Sequence, residues 1–165
     1  MLRSNYFLLL ISLLFSCYIS EEKEPAPRPA VVPPLERLAE SLSTVTYFGV
    51  KRRVIVLTFT SPDGSKNPYG GIVSEKLTTE LVKKNTFTML DRIVNERILK
   101  EKSLSLESPQ DITTLRNIGE ALQLDMIVTG IISPYQNGVF VNARLIDIKS
   151  GTISKAEEVY VLIDG

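Results

Sequence analysis

Arg53-Val54-Ile55-Val56-Leu57-Thr58-Phe59 is apolar from Val54 onward, with Thr58 the one polar residue after Arg53. A strand that alternates shows one face to water, whereas an unbroken run is buried on both. The segment therefore predicts a central strand with layers packed above and below it. Downstream, Ser61 to Pro68 is polar and carries the turn signal Pro62-Asp63-Gly64. Tyr69 to Lys84 repeats its apolar residues at Val73, Leu77 and Leu81, the spacing of a helix. Thr86 to Leu90 is a short strand, and Asp91 caps a helix running to about Lys102. Ser108-Pro109-Gln110-Asp111 has the form of a capping box with proline at the first helical position. Ile112, Leu115, Ile118 and Leu122 form the apolar stripe of that next helix. Gly119 in its middle costs about 1 kcal/mol against alanine, and close packing on the sheet is the expected compensation.

Met126 to Ser133 is a second apolar strand, followed by the hairpin signal Asn137-Gly138. Val139, Val141, Ala143 and Leu145 then alternate, so this strand is half buried. Ser150-Gly151 turns the chain into a last strand over Thr152 to Leu162. Strand, helix, strand, two helices and three strands make an α/β (α+β) domain. Its mixed sheet has about five strands, with helices packed on it and antiparallel C-terminal hairpins.

Upstream of this core, Leu35, Leu38 and Leu42 mark an N-terminal helix. Ser20 to Pro34 is dominated by charge and proline and reads as an extended tether. From Tyr18 to Pro34 it reaches roughly 50 Å at about 3.1 Å per residue. Tyr6 to Phe15 is apolar except for Ser12. It is too short to span a bilayer as a helix and has the size of a secretory leader. The stretch Leu14-Phe15-Ser16-Cys17 resembles the lipobox of bacterial lipoproteins, departing from it at Phe15, where a small residue is usual. The resemblance implies that Cys17 is acylated and becomes the first residue after cleavage. The expected organisation is a signal peptide over 1–16, a lipidated Cys17 with its tether over 17–34, and a folded domain over 35–165.

Composition narrows the chemistry. Of 165 residues 44% are apolar, as in a folded protein, and Lys+Arg and Asp+Glu are 19 each. Without the leader and its Arg3, 18 cationic side chains face 19 acidic ones. This near-neutral balance gives no footprint for nucleic acid. The chain has no His, the commonest general base and metal ligand, and a single Cys, which excludes an internal disulfide and a multi-cysteine metal site. Gly64-Ser65-Lys66 lacks the upstream glycine and spacing of a phosphate loop and reads as an ordinary loop. Asp125 and Asp147 read as a helix-to-strand turn residue and a hairpin residue rather than a catalytic pair. Asn142 and Arg144 lie on the opposite face of their strand from Val141 and Ala143, a solvated face that could serve binding. The charges of Arg92 to Lys102 read as an exposed helix face. No catalytic residue, cofactor or metal site is expected, and the chain is not read as an enzyme.

Several of these residues together resemble the FlgO-type domain: Leu77 and Leu81, Phe87, Asp91-Arg92, Ile118-Gly119 with Leu122, and Asp125-Met126-Ile127-Val128-Thr129-Gly130. The closing segment Val141-Asn142-Ala143-Arg144-Leu145-Ile146-Asp147-Ile148-Lys149-Ser150-Gly151 carries the resemblance furthest. Leu124 departs from it, since Gly or Ala is commoner before the aspartate. The wider group holds CsgG, LpoB and the N-terminal domain of TolB. The resemblance implies an outer-membrane lipoprotein that binds or scaffolds envelope proteins, with a flagellar or motility association. The membrane, through lipid on Cys17, and an envelope or flagellar protein are the implied partners, and a homo-oligomer is left open. The alternatives are an activator of a peptidoglycan synthase and a subunit of a secretion assembly. A secretion channel needs added membrane hairpins with strands of about 9–11 residues, for which the chain looks short. An envelope hydrolase ranks last, for want of an assembled site.

Overall fold

A computed structural model describes residues 33–45, 50–105 and 111–163. The leader, Cys17 and the tether up to Val32 lie outside the described residues, as do Ser108 to Gln110 of the expected capping box. In chain order the elements are α1 (Pro34–Leu42), β1 (Arg53–Val56), α2 (Gly70–Lys84), β2 (Thr88–Met89) and α3 (Arg92–Glu101). Then follow α4 (Ile112–Leu122), β3 (Met126–Tyr135), β4 (Gly138–Asp147) and β5 (Ile153–Leu162). No described helix is long and apolar enough to cross a membrane.

The five strands form one mixed sheet in the order β2-β1-β3-β4-β5. β1 is parallel to β2 and β3, while β3, β4 and β5 form an antiparallel meander. The run that opens the domain outlasts β1. The Leu57 N–H donates to Val128 O at 2.8 Å, and the Thr60 N–H donates to Gly130 O at 3.1 Å. Leu57 and Phe59 are fully buried although the regular strand ends at Val56.

Two apolar clusters flank the sheet. On one side Val54, Val56, Phe59, Met126, Val128, Val141 and Leu145 meet Leu38 and Leu42 of α1 and Leu77 and Leu81 of α2. On the other, Ile55, Leu57 and Ile127 meet Leu99 of α3 and Leu115, Ile118 and Leu122 of α4. Alternate residues of β1 supply both clusters, which is why its sequence is apolar without a break.

Local chemistry sets the helix ends. α1 starts with Pro34 at its first position, where a missing N–H is free of cost. Gly70 lets α2 begin against the strand, since a Cβ there would lie 2.0 Å from Phe59 O. Asn85 ends α2 in the left-handed conformation at φ 55°. Asp91 and Asp111 cap α3 and α4 by accepting from Val94 N and Thr114 N. Asp111 is therefore the cap of the described helix, three residues beyond the expected Ser108. Gly119 packs as anticipated: a Cβ would meet Ile148 Cγ2 at 2.6 Å. The Leu124 departure does not spoil the turn. Gln123 takes φ 53°, and the Leu124 N–H closes on Gly119 O at 2.8 Å.

The hairpin after β3 differs from expectation. Tyr135 pairs with Gly138, so the two-residue turn is Gln136-Asn137, one position early, with Gln136 at φ 49°. Gly138 already belongs to β4. A Cβ there would sit 2.4 Å from Val161 O and 2.7 Å from the Tyr160 ring, so packing rather than the turn requires glycine.

Three turn aspartates make stability depend on pH. The Ser65 hydroxyl and N–H hold the Asp63 carboxyl below its usual value. The Thr114 N–H does the same for Asp111. The Ser150 N–H, helped by its hydroxyl and by the Arg52 charge, does so for Asp147. A carboxyl depressed in the folded state stabilises it fully above the unfolded pKa of about 3.9, and the gain is lost as pH falls through the folded values. The urea midpoint is expected to hold from neutral pH to about 5 and fall below 4. Asp147→Asn is expected to flatten that fall, and an unchanged profile would contradict this role for Asp147.

Candidate functional site

Helices cover one side of the sheet from β1 to β5, but α3 and α4 reach only the β1–β3 end of the other. The meander is left with an open face. Registers across β3, β4 and β5 arrange it in rows of three. Tyr135, Gly138 and Leu162 form the first row; Ser133, Phe140 and Tyr160 the second; Ile131, Asn142 and Glu158 the third. Thr129, Arg144 and Ala156 follow, and Ile127, Ile146 and Ile153 close the face beneath α4, beyond an irregularity in β4 at Leu145/Ile146.

One end of this face is aromatic. Tyr135, Phe140 and Tyr160 stack with ring centroids 5.2–6.3 Å apart. The Tyr160 hydroxyl donates to Asn137 Oδ1 at 2.9 Å, which fixes the ring over the hairpin turn. The other end is aliphatic and holds a hollow of about 260 Å³ bounded by Leu115, Ile131, Ile146, Ile153, Thr129 and Arg144. Tyr135, Ile153 and Leu162 stay 51%, 52% and 59% exposed, high values for large apolar side chains on a sheet.

The middle is polar and incomplete. Asn142 Oδ1 is buried without a hydrogen-bond partner among the described residues. Among the same residues Arg144 forms no hydrogen bond or ion pair, and the Glu158 carboxylate has no partner. A buried acceptor left unpaired costs about 1–3 kcal/mol, so folding alone does not favour Asn142 here. Asn142→Val is expected to leave the urea midpoint unchanged or raise it while weakening whatever this face binds. A clear loss of stability would show that the amide serves the fold instead.

The other sequence candidates take structural places. Asp125 Oδ2 accepts from Arg53 N at 2.8 Å, and its Oδ1 pairs with Arg52 at 3.3 Å, so it clamps the start of β1. Asp147 stands opposite Met126 in the ladder and accepts from Ser150 N at 2.8 Å. The two aspartates share one end of the sheet, each engaged in holding backbone. The Gly64 loop bonds to itself through Gly64 N to Ser61 O and Ser65 N to Asp63 Oδ1, leaving those amides unavailable to a phosphate. Arg92 departs from the reading of an exposed charged face. Its side chain is only 20% exposed and bridges Glu75 of α2, Glu96 of its own helix and the Thr58 hydroxyl. The described residues contain no group of three His, Cys, Asp or Glu side chains placed to hold a metal.

Sequence reasoning points to Asn142 and Arg144 but misses Tyr135, Phe140, Tyr160 and Glu158. Their signal is the hairpin register. A two-residue turn sets Phe140 near Tyr135, and the next hairpin sets Tyr160 beside Phe140.

The shape of the domain recurs in solved proteins. The C-terminal domain of LpoB from Escherichia coli matches with a TM-score of 0.64 at 15% identity, over 78% of this chain and 95% of that one. Its counterpart from Salmonella enterica gives 0.64 at 15% identity, over 79% and 96%. Lipoprotein GNA1162 from Neisseria meningitidis gives 0.52 at 15% identity, over 68% and 81%. At such identities the likeness is one of fold. Comparison with curated proteins gives no match. The model of the FlgO protein family matches residues 36–164, from the first turn of α1 to the end of the domain. With this fold, this strand order and that match, the chain belongs to the FlgO family.

Proposed function

We propose that the protein is a lipid-anchored component of the bacterial envelope that binds or scaffolds other proteins, held to the outer membrane through Cys17 and associated with the flagellum. The family match over residues 36–164 carries this reading. The open face of the meander supports it. It combines exposed rings, an aliphatic hollow and unpaired polar groups, as a docking surface requires. Asp125 and Asp147, the carboxylates nearest to a candidate pair, are engaged in holding backbone, which supports a role exerted by contact.

Cross-linking in living cells through a photoreactive residue at position 142, followed by mass spectrometry, tests this. Flagellar basal-body proteins among the captured chains, together with smaller swimming zones on deletion of the gene, are the expected result. Capture of a cell-wall synthase with normal swimming would move the assignment to synthase activation. A hydrolytic activity abolished by a single Asp or Ser substitution would overturn the binding role.

A further inference from the structure

We propose that the open face of β3, β4 and β5 captures the C-terminus of a partner polypeptide, with the terminal carboxylate on Arg144 and an aliphatic last side chain in the hollow beside it. The inference rests on the docking reading above and names the chemistry of the partner.

The hollow decides what enters. Leu57, Leu115, Ile131, Ile146 and Ile153 give it apolar walls. Among the described residues its lining holds one cation, Arg144, and no carboxylate. Thr129 stands opposite Arg144 in the ladder, and its hydroxyl has no hydrogen-bond partner among the same residues. A guanidinium offers a planar fork that matches a carboxylate, and a hydroxyl beside it adds a further donor. Apolar walls next to an unpaired positive charge suit a guest that is aliphatic at one point and singly anionic at the next. At about 260 Å³ the hollow is smaller than the ~300–1,000 Å³ of pockets for drug-sized ligands, which leaves room for about one aliphatic residue.

The surroundings make that guest the end of a chain. Along β4 the open face runs from Phe140 through Asn142 to Arg144, then passes beneath α4 at Ile146. Leu115 of α4 walls the hollow on that side. A segment laid along the face therefore meets the helix and has to stop there. Of the two ends of a chain, Arg144 repels the amino terminus and attracts the carboxyl terminus. A free small acid would fill the hollow and leave the rest of the face bare.

A polypeptide reaches further. From Arg144 to Phe140 is roughly 14 Å at about 3.4 Å per residue. In an extended guest alternate side chains point down. With its last residue at Arg144, the third from the end stands at the row of Asn142 and Glu158, and the fifth from the end at the row of Phe140 and Tyr160. Glu158 favours a basic residue at the first of these, and the clustered rings favour an aromatic one at the second. Asn142 Oδ1, which has no partner among the described residues, accepts a backbone N–H of the same guest once its amide turns outward. One extended end, aromatic then basic then aliphatic at every second residue, engages the hollow, the polar row and the rings together.

The test uses the full chain in phosphatidylcholine vesicles and the peptide acetyl-Tyr-Ser-Lys-Ser-Leu, tritiated in its acetyl group, with binding read by co-sedimentation. The free acid is expected to bind at least ten-fold more tightly than the C-terminal amide, and at least ten-fold more tightly than the same peptide ending in glycine. Arg144→Gln is expected to bring the acid down to the affinity of the amide. A peptide with glutamate in place of its lysine is expected to bind the wild type more weakly and the Glu158→Lys chain more tightly. That exchange of preference excludes misfolding as the cause of the losses. Equal binding of acid and amide, or a difference between them that persists in Arg144→Gln, would overturn the proposal. N-acetyl-leucine binding as tightly as the peptide would overturn the polypeptide as occupant in favour of a free aliphatic acid. No peptide binding, while position 142 still captures an envelope protein, would overturn capture of a chain end and leave the docking reading standing. Absence of both would remove the two together.

Discussion

Phe59→Ala is expected to lower the unfolding free energy by about 3–5 kcal/mol, the range for deleting a buried ring. For a domain of this size that is a fall of roughly 10–20 °C in Tm. The ring is fully buried in the cluster beneath α1 and α2. It lies against Gly130, where a Cβ would come within 2.3 Å of ring atom Cε2. The residue also carries the carbonyl against which Gly70 starts α2. Its loss therefore opens a cavity where β3, α2 and the end of β1 meet. Urea melts should show a lower midpoint with an unchanged slope. A loss under about 1 kcal/mol would mean that the neighbours close the gap, contrary to the packing described. Gly130→Ala probes the same contact from the other side. The new methyl would strike the ring and also Asn142 O at 2.5 Å, and overpacking of this kind costs about 1–3 kcal/mol.

Cys17→Ser is expected to abolish labelling of the protein by radioactive palmitate in growing cells, an all-or-none effect. Only the thiolate sulfur can take the diacylglyceryl group at this position, and the chain has no second cysteine to replace it. Tyr6 to Phe15 is about half the length needed for a membrane-spanning helix. Each buried methylene contributes about 0.8 kcal/mol, and two or more chains hold a protein firmly where one is marginal. Label persisting in the serine variant, or absent from the wild type, would refute acylation at Cys17.

Much of the fold is legible in the sequence because its signals are local. The unbroken apolar run at Arg53 marks the central strand, the 3.6-residue stripes mark α2 and α4, and alternation after Val139 marks the buried side of β4. Misreadings arise where one residue type serves two purposes. Gly138 has the look of a turn glycine, yet it is small because Val161 and Tyr160 press on it. Gln136, which carries the positive φ instead, has no such signature. Asp111 reads as part of a first turn and is the cap itself. Arg92 reads like any surface charge, because its partners Glu75 and Thr58 come from distant segments.

The candidate site is half visible. Alternation puts Asn142 and Arg144 on one side of β4, but which side the helices cover depends on where α3 and α4 land. That is a property of tertiary packing, which no strand pattern encodes. The aromatic cluster likewise exists only once two hairpin registers are set.

The position of α1 has a mechanical consequence. It is the first described helix after the tether, and three of its residues, Leu38, Ala39 and Leu42, are fully buried. Glu36 is tied to Lys84 at 3.6 Å, and Ser41 donates to Glu157 at 2.6 Å. A pull along the segment proposed as a tether would therefore reach α1 at Pro34 before any strand of the sheet. The buried leucines and the bonds to Lys84 and Glu157 are the contacts that would resist it.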